Sequence, residues 1–207
     1  MTLTPATIRE YDAETMDPEA TETATFGLGC FWGPDTRFGA MDGVIRTRVG
    51  YAGGTKTDPT YHSLGDHTEV FQVDFDPDVV TYRDLVEEAF QQHNPQTQTR
   101  KTQYQNVVLA ATSAQRDVID TVLEASGRTA ESVETRIEQL SRFYPAEDYH
   151  QKYRLRSASF FISAFEEAGY TSEDIRESPI AAKLNGYVAG HDVSIDAHLP
   201  APNQRSP

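Results

Sequence analysis

These 207 residues contain one cysteine, one tryptophan and three methionines. A single cysteine excludes a disulfide within this sequence, and with it any mechanism that draws two thiols from it. Cations are scarce as well: 18 Lys and Arg stand against 32 Asp and Glu, a net charge of −14. A surface that negative repels phosphate backbones and anionic headgroups, which argues against nucleic acid and membranes as partners. No stretch approaches the roughly 20 apolar residues that a membrane span requires. The first 23 residues carry Glu10, Asp12, Glu14, Asp17, Glu19 and Glu22 against Arg9 alone, the opposite of a secretory signal. The expected location is the cytoplasm, and the expected state a monomer.

Hydrophobic residues make up 38% and charged residues 24%, the balance of a globular protein, and the length suits one domain. Composition divides it into an acidic, flexible segment over 1–23, a single domain over 24–190 and a flexible, proline-rich tail over 191–207. Within the domain, Thr25–Gly29 alternates with Phe26 and Leu28 on one face and runs into Cys30. Pro34 suits the first position of a following helix. Thr47–Ala52 reads as a second strand, and Glu69–Phe75 as a third with Phe71, Val73 and Phe75 on one face. Thr81, with Asp84 three residues on, opens a helix whose stripe is Tyr82, Leu85, Val86, Ala89 and Phe90. Asn106–Ala111 is apolar enough for a central strand. Ser113 opens a helix that Gly127 ends. Glu134–Leu140 reads as a last strand, followed by an aromatic loop and helices to about Gly186. The order strand, helix, strand, strand, helix, strand predicts an α/β fold of the α+β sandwich kind. It has a ferredoxin-like split βαβ core, helices on one face of a mixed sheet, and a helical C-terminal extension.

Two residues carry most of the chemistry. Cys30 stands at a strand end ahead of a helix N-terminus, where free N–H groups and the helix dipole favour a thiolate. Gly29 and Gly33 allow close approach of a ligand, and Phe31 and Trp32 supply an apolar wall. Against this, a lone cysteine also serves as a small buried hydrophobe. Glu69 shares the face of Phe71, Val73 and Phe75. If buried there its pKa rises and it becomes a proton donor near neutrality; at a solvated strand mouth it stays an ordinary carboxylate. His62, His67, His93 and His150 lack metal-ligand spacing, so no metal site is expected.

The string GCFWG at Gly29–Gly33 resembles the active-site signature of A-type peptide methionine sulfoxide reductases. GYAGG (Gly50–Gly54), DPTYHSLGDHTEV (Asp58–Val70), FDP (Phe75–Pro77), HNP (His93–Pro95), TQY (Thr102–Tyr104) and FYPAEDYHQ (Phe143–Gln151) follow in the family's order. LNGYVAG at Leu184–Gly190 is similar to an extension of some members. The resemblance implies thiol-dependent reduction of methionine-S-sulfoxide, free or in proteins, as repair of oxidative damage. It implies Cys30 as nucleophile passing through a sulfenic acid and Glu69 as the acid that protonates the sulfoxide oxygen. Tyr61 and Tyr104 would be donors to that oxygen, and Phe31 and Trp32 the pocket for its S-methyl group. No bound cofactor is implied. The reductant would be an external thiol: thioredoxin, glutaredoxin or a small thiol.

The sequence departs from the family in three places. Many members carry an aspartate in a GND-type string ahead of TQY, where this sequence has QTQTRKTQY with Gln98 or Thr99 near that position. The loop from Tyr61 to Glu69 is shorter than in many relatives. Resolving cysteines, common towards the family's C-terminus, are missing. A module that only binds oxidised methionine or senses oxidation through Cys30 is the competing expectation. It leaves a proton donor aimed at the oxygen without a use. A one-cysteine peroxidase would have no use for an apolar methyl pocket.

Overall fold

A computed structural model describes residues 3–15 and 21–195. After an N-terminal helix α1 (Pro5–Thr15), the chain runs β1 (Glu22–Leu28), α2 (Trp32–Ala40), β2 (Val44–Ala52), β3 (Thr68–Phe75) and α3 (Tyr82–Gln91). It continues through β4 (Asn106–Ala110), α4 (Ser113–Ala125), β5 (Arg136–Gln139) and a short β6 (Tyr144–Pro145). Helices α5 (Tyr153–Arg156), α6 (Ser159–Glu167), α7 (Ser172–Glu177) and α8 (Pro179–Val188) follow. The sheet order is β5-β4-β1-β3-β2-β6. β3 pairs antiparallel with both β1 and β2, so it splits the β1-α2-β2 unit, while β5 joins β4 in parallel. This is the mixed, split βαβ sheet that the order of elements implies.

Period-two alternation decides which side of the sheet is covered. Ala24 and Phe26 of β1, Val49 and Tyr51 of β2, Phe71, Val73 and Phe75 of β3 and Val108 of β4 form one core with α2, α3 and α4. Phe26, Phe38 and Phe71 meet there with ring centroids 4.9–5.7 Å apart. Each fully buried ring contributes roughly 2–3 kcal/mol. Ala52, Val70, Val107 and Leu109 point to the opposite face, against Leu140 and Phe143 of the aromatic loop. The capping box on α3 forms as the sequence implies, Thr81 N–H donating to Asp84 Oδ2 and Asp84 N–H to Thr81 Oγ1. Gly127 ends α4 at φ 71°, with Arg128 N–H reaching back to the Leu123 carbonyl.

Three expectations need correction. The acidic lead-in is not an unstructured stretch over its described part: α1 buries Ile8, and Asp12 is 2% exposed. The Asp12 carboxylate accepts from Ile180 N–H at 2.8 Å and Tyr170 Oη at 2.9 Å, so it caps the first turn of α8. Helix α2 starts at Trp32, two residues before Pro34, which occupies an inner position of the first turn where its missing N–H costs nothing. β2 begins at Val44 rather than Thr47, and the last long strand is shorter than 134–140, spanning Arg136–Gln139. Most of the 191–207 tail, residues 196–207, lies outside the described residues.

The C-terminal helices lock α2 in place. α8 crosses α2 where Gly39 and Gly186 face the other helix; a Cβ on Gly39 would stand 2.8 Å from the Ala182 carbonyl, and one on Gly186 2.7 Å from that of Thr36. Beside this crossing the buried Asp35 carboxylate accepts from Asn185 Nδ2 at 2.8 Å and from Thr47 Oγ1, with Lys152 Nζ at 3.9 Å. Neither Lys152 nor Asp35 is more than 1% exposed, and burial pushes the Lys152 ammonium down. A side chain forced into the crossing must separate the helices. Gly186→Val should therefore lower the unfolding free energy by about 1–3 kcal/mol. The effect is read as a lower urea midpoint at unchanged m-value.

Candidate active site

β1 delivers the chain to Gly29, whose φ of 77° turns it out of the sheet and leaves Cys30 exposed at the tip. That position excludes the buried-hydrophobe role for the only thiol. Phe31, the N-cap of α2, is 1% exposed, and its N–H donates to Glu69 Oε2 at 3.2 Å. Glu69 is itself 1% exposed, on the face of Phe71 and Val73, and its Oε1 accepts from Gln103 Nε2 at 2.7 Å. Burial pushes its pKa above the ordinary glutamate value, against the pull of Gln103, Phe31 N–H and Lys101. The carboxyl is thus set one residue from the thiol and inclined to hold its proton.

The thiol behaves differently from the expectation of a stabilised thiolate. Trp32 N–H is directed at the Cys30 sulfur and pulls its pKa down, as does Arg154, but partial burial dominates and Glu69 adds to it, so the thiol titrates above its usual value. Burial of the sulfur outweighs what the helix N-terminus supplies, and the Glu69 carboxyl adds a smaller push in the same direction. Once Glu69 carries a proton, its opposition disappears.

Tyr61 and Tyr104 join this pair. The Tyr104 phenol, pushed up to about 12 first by desolvation, hydrogen-bonds Tyr61 and feels Glu69 and Cys30. The structure therefore brings Cys30, Glu69, Tyr61 and Tyr104 together, with Phe31 and Trp32 as walls, the two ring centroids 6.4 Å apart. Glu147 anchors its loop, accepting from the Tyr61 N–H at 2.9 Å and the Tyr51 hydroxyl at 2.7 Å.

Several residues of the site went unread in the sequence. Tyr51, from GYAGG, lies directly opposite Glu69 in the β2–β3 register, with its ring 6.2 Å from Phe31. Burial and the Glu147 charge raise its phenol far above its ordinary value. Its parity with Val49 on the covered face was the available signal. His150 is 3% exposed, its ring 5.2 Å from Phe31 and 4.7 Å from Tyr61; burial keeps it low and neutral. Both its ring nitrogens, and Trp32 Nε1, lack a hydrogen-bond partner among the described residues. Tyr153 stacks on Trp32 at 3.8 Å and 7°. Gln103 was the neglected middle letter of TQY. Ahead of TQY, Gln98 clamps the loop, accepting from Asn106 N–H at 2.9 Å and donating to the Asn106 and Glu134 carbonyls. No group of three or more His, Cys, Asp or Glu among the described residues could hold a metal, and no described helix is long and apolar enough to cross a membrane.

Comparison with known proteins agrees with this geometry. Residues 22–176 match the profile of the family described as peptide methionine sulfoxide reductase. The chain is 42% identical over 171 residues to a peptide methionine sulfoxide reductase of Drosophila melanogaster, covering 81% of this chain and 68% of that one. It is 44% identical over 144 residues to MsrA of Methanothermobacter thermautotrophicus, covering 64% and 85%. Among solved structures, methionine sulfoxide reductase A of Corynebacterium diphtheriae superposes with a TM-score of 0.57 at 32% identity, covering 70% of this chain and 78% of that one. Reduced Mxr1 of Saccharomyces cerevisiae gives 0.58 at 26%, covering 76% and 92%. With the fold, the signature strings and these matches in agreement, the chain belongs to the peptide methionine sulfoxide reductases, A type, and is an oxidoreductase that reduces methionine sulfoxide.

Proposed function

We propose that Cys30 is the nucleophile and Glu69 the proton donor in reduction of the S epimer of methionine sulfoxide, free or within proteins. The observation that carries this is the Glu69 carboxyl, 1% exposed and bonded to the N–H of Phe31, the residue after the thiol. A sulfoxide oxygen leaves poorly until protonated, and a soft thiolate suits attack at sulfur. The S-methyl group enters between Phe31 and Trp32, with His150 and Tyr153 behind them. The oxygen then faces Glu69, Tyr61 and Tyr104, whose donors stabilise developing negative charge.

The Cys30 sulfur bonds to the sulfoxide sulfur as Glu69 gives its proton to the oxygen, and the hydroxyl then passes to Cys30. Methionine leaves, the sulfoxide reduced by two electrons and Cys30 oxidised to a sulfenic acid. With no second cysteine in these 207 residues, one external thiol displaces water to form a mixed disulfide. A second releases Cys30 as the thiol and leaves with the first as a disulfide. A small thiol, thioredoxin or glutaredoxin meets this requirement. A lone Cys30 that must return to the thiol in every cycle suits a reducing compartment such as the cytoplasm.

Single-turnover mixing with separate S and R epimers tests the assignment. Cys30→Ser abolishes methionine release, and Glu69→Gln slows it by about 10²–10⁴-fold, the usual worth of general acid catalysis. Equal turnover of both epimers, or a Glu69→Gln rate within a few-fold of the parent, contradicts it.

The pH dependence follows from the shared proton. The productive state holds one proton between Cys30 and Glu69, so the parent rate falls above the raised thiol titration and below the raised carboxyl titration. In Glu69→Gln the opposing charge is gone, so the Cys30 pKa drops and the residual rate rises with pH to a plateau. Iodoacetamide alkylation across the pH range reads the thiol directly; an unmoved Cys30 titration in the variant shows that the two groups are not coupled.

A further inference from the structure

The first turn of α2 also borders a groove that the sulfoxide chemistry leaves unused. A cavity of about 550 Å³ lies between Leu28, Gly33, Arg37 and Gln92 on one side and Arg154, Val188 and His191 on the other. That volume is of the size that takes small molecules. Leu28 and Gly33 flank Cys30 in sequence, and a Cβ on Gly29 or Gly33 would meet nothing within 4 Å, so the approach past them is open. Tyr153, stacked on Trp32, brings Arg154 alongside the same turn. No acidic residue lines the groove.

Its charge is unusual for this protein. The net charge is −14, and among the described residues seven arginines are tied to carboxylates. Arg37 is paired with Glu88. The Arg154 guanidinium has no hydrogen bond or ion pair among the described residues, is exposed, and acts electrostatically on the Cys30 sulfur. His191 Nε2, 3.2 Å from Thr36 Oγ1, and Gln92 add uncharged hydrogen-bonding groups. An unpaired guanidinium beside an apolar strip of Leu28, Pro34 and Val188 suits a small organic anion, above all a carboxylate.

We propose that this groove binds a small thiol bearing carboxylate groups, the reductant that regenerates Cys30. The inference rests on the sulfenic acid pathway above and names the class of its thiol. The bound thiol attacks the Cys30 sulfur, forming a mixed disulfide and releasing water. A second molecule of the same thiol attacks the distal sulfur, leaving as the oxidised small disulfide and restoring the Cys30 thiol. The Arg154 guanidinium holds the carboxylate, so the anion is drawn to the sulfur against the repulsion of the acidic surface.

The test separates the two half-reactions. Cys30 sulfenic acid, generated with one equivalent of methionine-S-sulfoxide or independently with one equivalent of hydrogen peroxide, is reduced by mercaptosuccinate, neutral 2-mercaptoethanol or cationic cysteamine. Each thiol is compared with itself across variants, so its own nucleophilicity cancels. Arg154→Glu should slow mercaptosuccinate by at least about tenfold, leave 2-mercaptoethanol within about twofold and speed cysteamine. Because Arg154 also acts on the Cys30 sulfur, its reversal slows single-turnover sulfoxide reduction by the same factor for free methionine-S-sulfoxide and its N-acetyl amide, and Arg128→Glu, an equal charge change after α4, leaves all three thiols alike. A common factor for the three thiols in Arg154→Glu, or the same loss in Arg128→Glu, overturns the proposal. So does a loss confined to free methionine-S-sulfoxide and absent with its N-acetyl amide, which assigns Arg154 to the substrate's carboxylate. Because peroxide supplies the sulfenic acid separately, failure to reduce sulfoxide refutes the reductase assignment alone and leaves the groove comparison intact.

Discussion

A buried carboxyl pinned beneath the start of a helix is the constraint from which the rest of the site follows. Glu69 accepts from Phe31 N–H and from Gln103, and both contacts require distant parts of the chain to arrive together. β3 must sit between β1 and β2 in the register that sets Glu69 opposite Tyr51. A slip of one residue would present Val70 instead and send the acid to the other face. Gly29 must take a left-handed turn, and α2 must begin at Trp32, for the Phe31 N–H to be free. Placed this way, acid and thiol compete for one helix N-terminus. Burial is the main reason that neither is a simple anion, with Glu69 adding to the effect on the thiol.

Around that pair the structure uses its scarce buried polar groups as fasteners. Gln151 accepts from Val49 N–H and donates to the carbonyls of Val49 and Ala146, fixing the loop that carries His150 and Tyr153 to the edge of β2. Glu147 fixes Tyr51 and the backbone of Tyr61. Asp35, with Thr47, Asn185 and Lys152, binds α2 to the strand below and the helix above. A buried hydrogen-bonded group left without its partner costs about 1–3 kcal/mol. These contacts therefore hold the aromatic walls and the thiol in one geometry, whereas apolar packing alone would tolerate sliding.

The electrostatic pattern at the site runs against that of the whole molecule. In an acidic chain, Arg154 and Lys101 stand at the two sides of the site, one acting on the thiol and the other on Glu69, with Lys101 Nζ 4.4 Å from the Tyr104 ring centroid. Two local cations in an acidic chain favour anionic visitors at this place.

Much of this was present in the one-dimensional pattern. Alternation made the strands, the Thr81–Asp84 box and Gly127 bounded two helices, and GCFWG with the strings after it named the chemistry and four residues that do meet. Those features are local or periodic, so the chain carries them without knowing its fold. The helical state of residues 5–15 was hidden because Asp12 reads as a surface acid until Ile180 and Tyr170, some 160–170 residues away, bury it. Tyr51 carries only a parity signal in the sequence, and Gln103 and His150 none, because strand register and loop closure alone bring them to Glu69 and Phe31. The raised thiol is not legible in the sequence because a helix N-terminus is a local feature, while the burial that outweighs it, and the nearby Glu69, come from the tertiary fold. Sequence determined which residues could react; tertiary packing decided which of them meet in one buried, electrostatically coupled site.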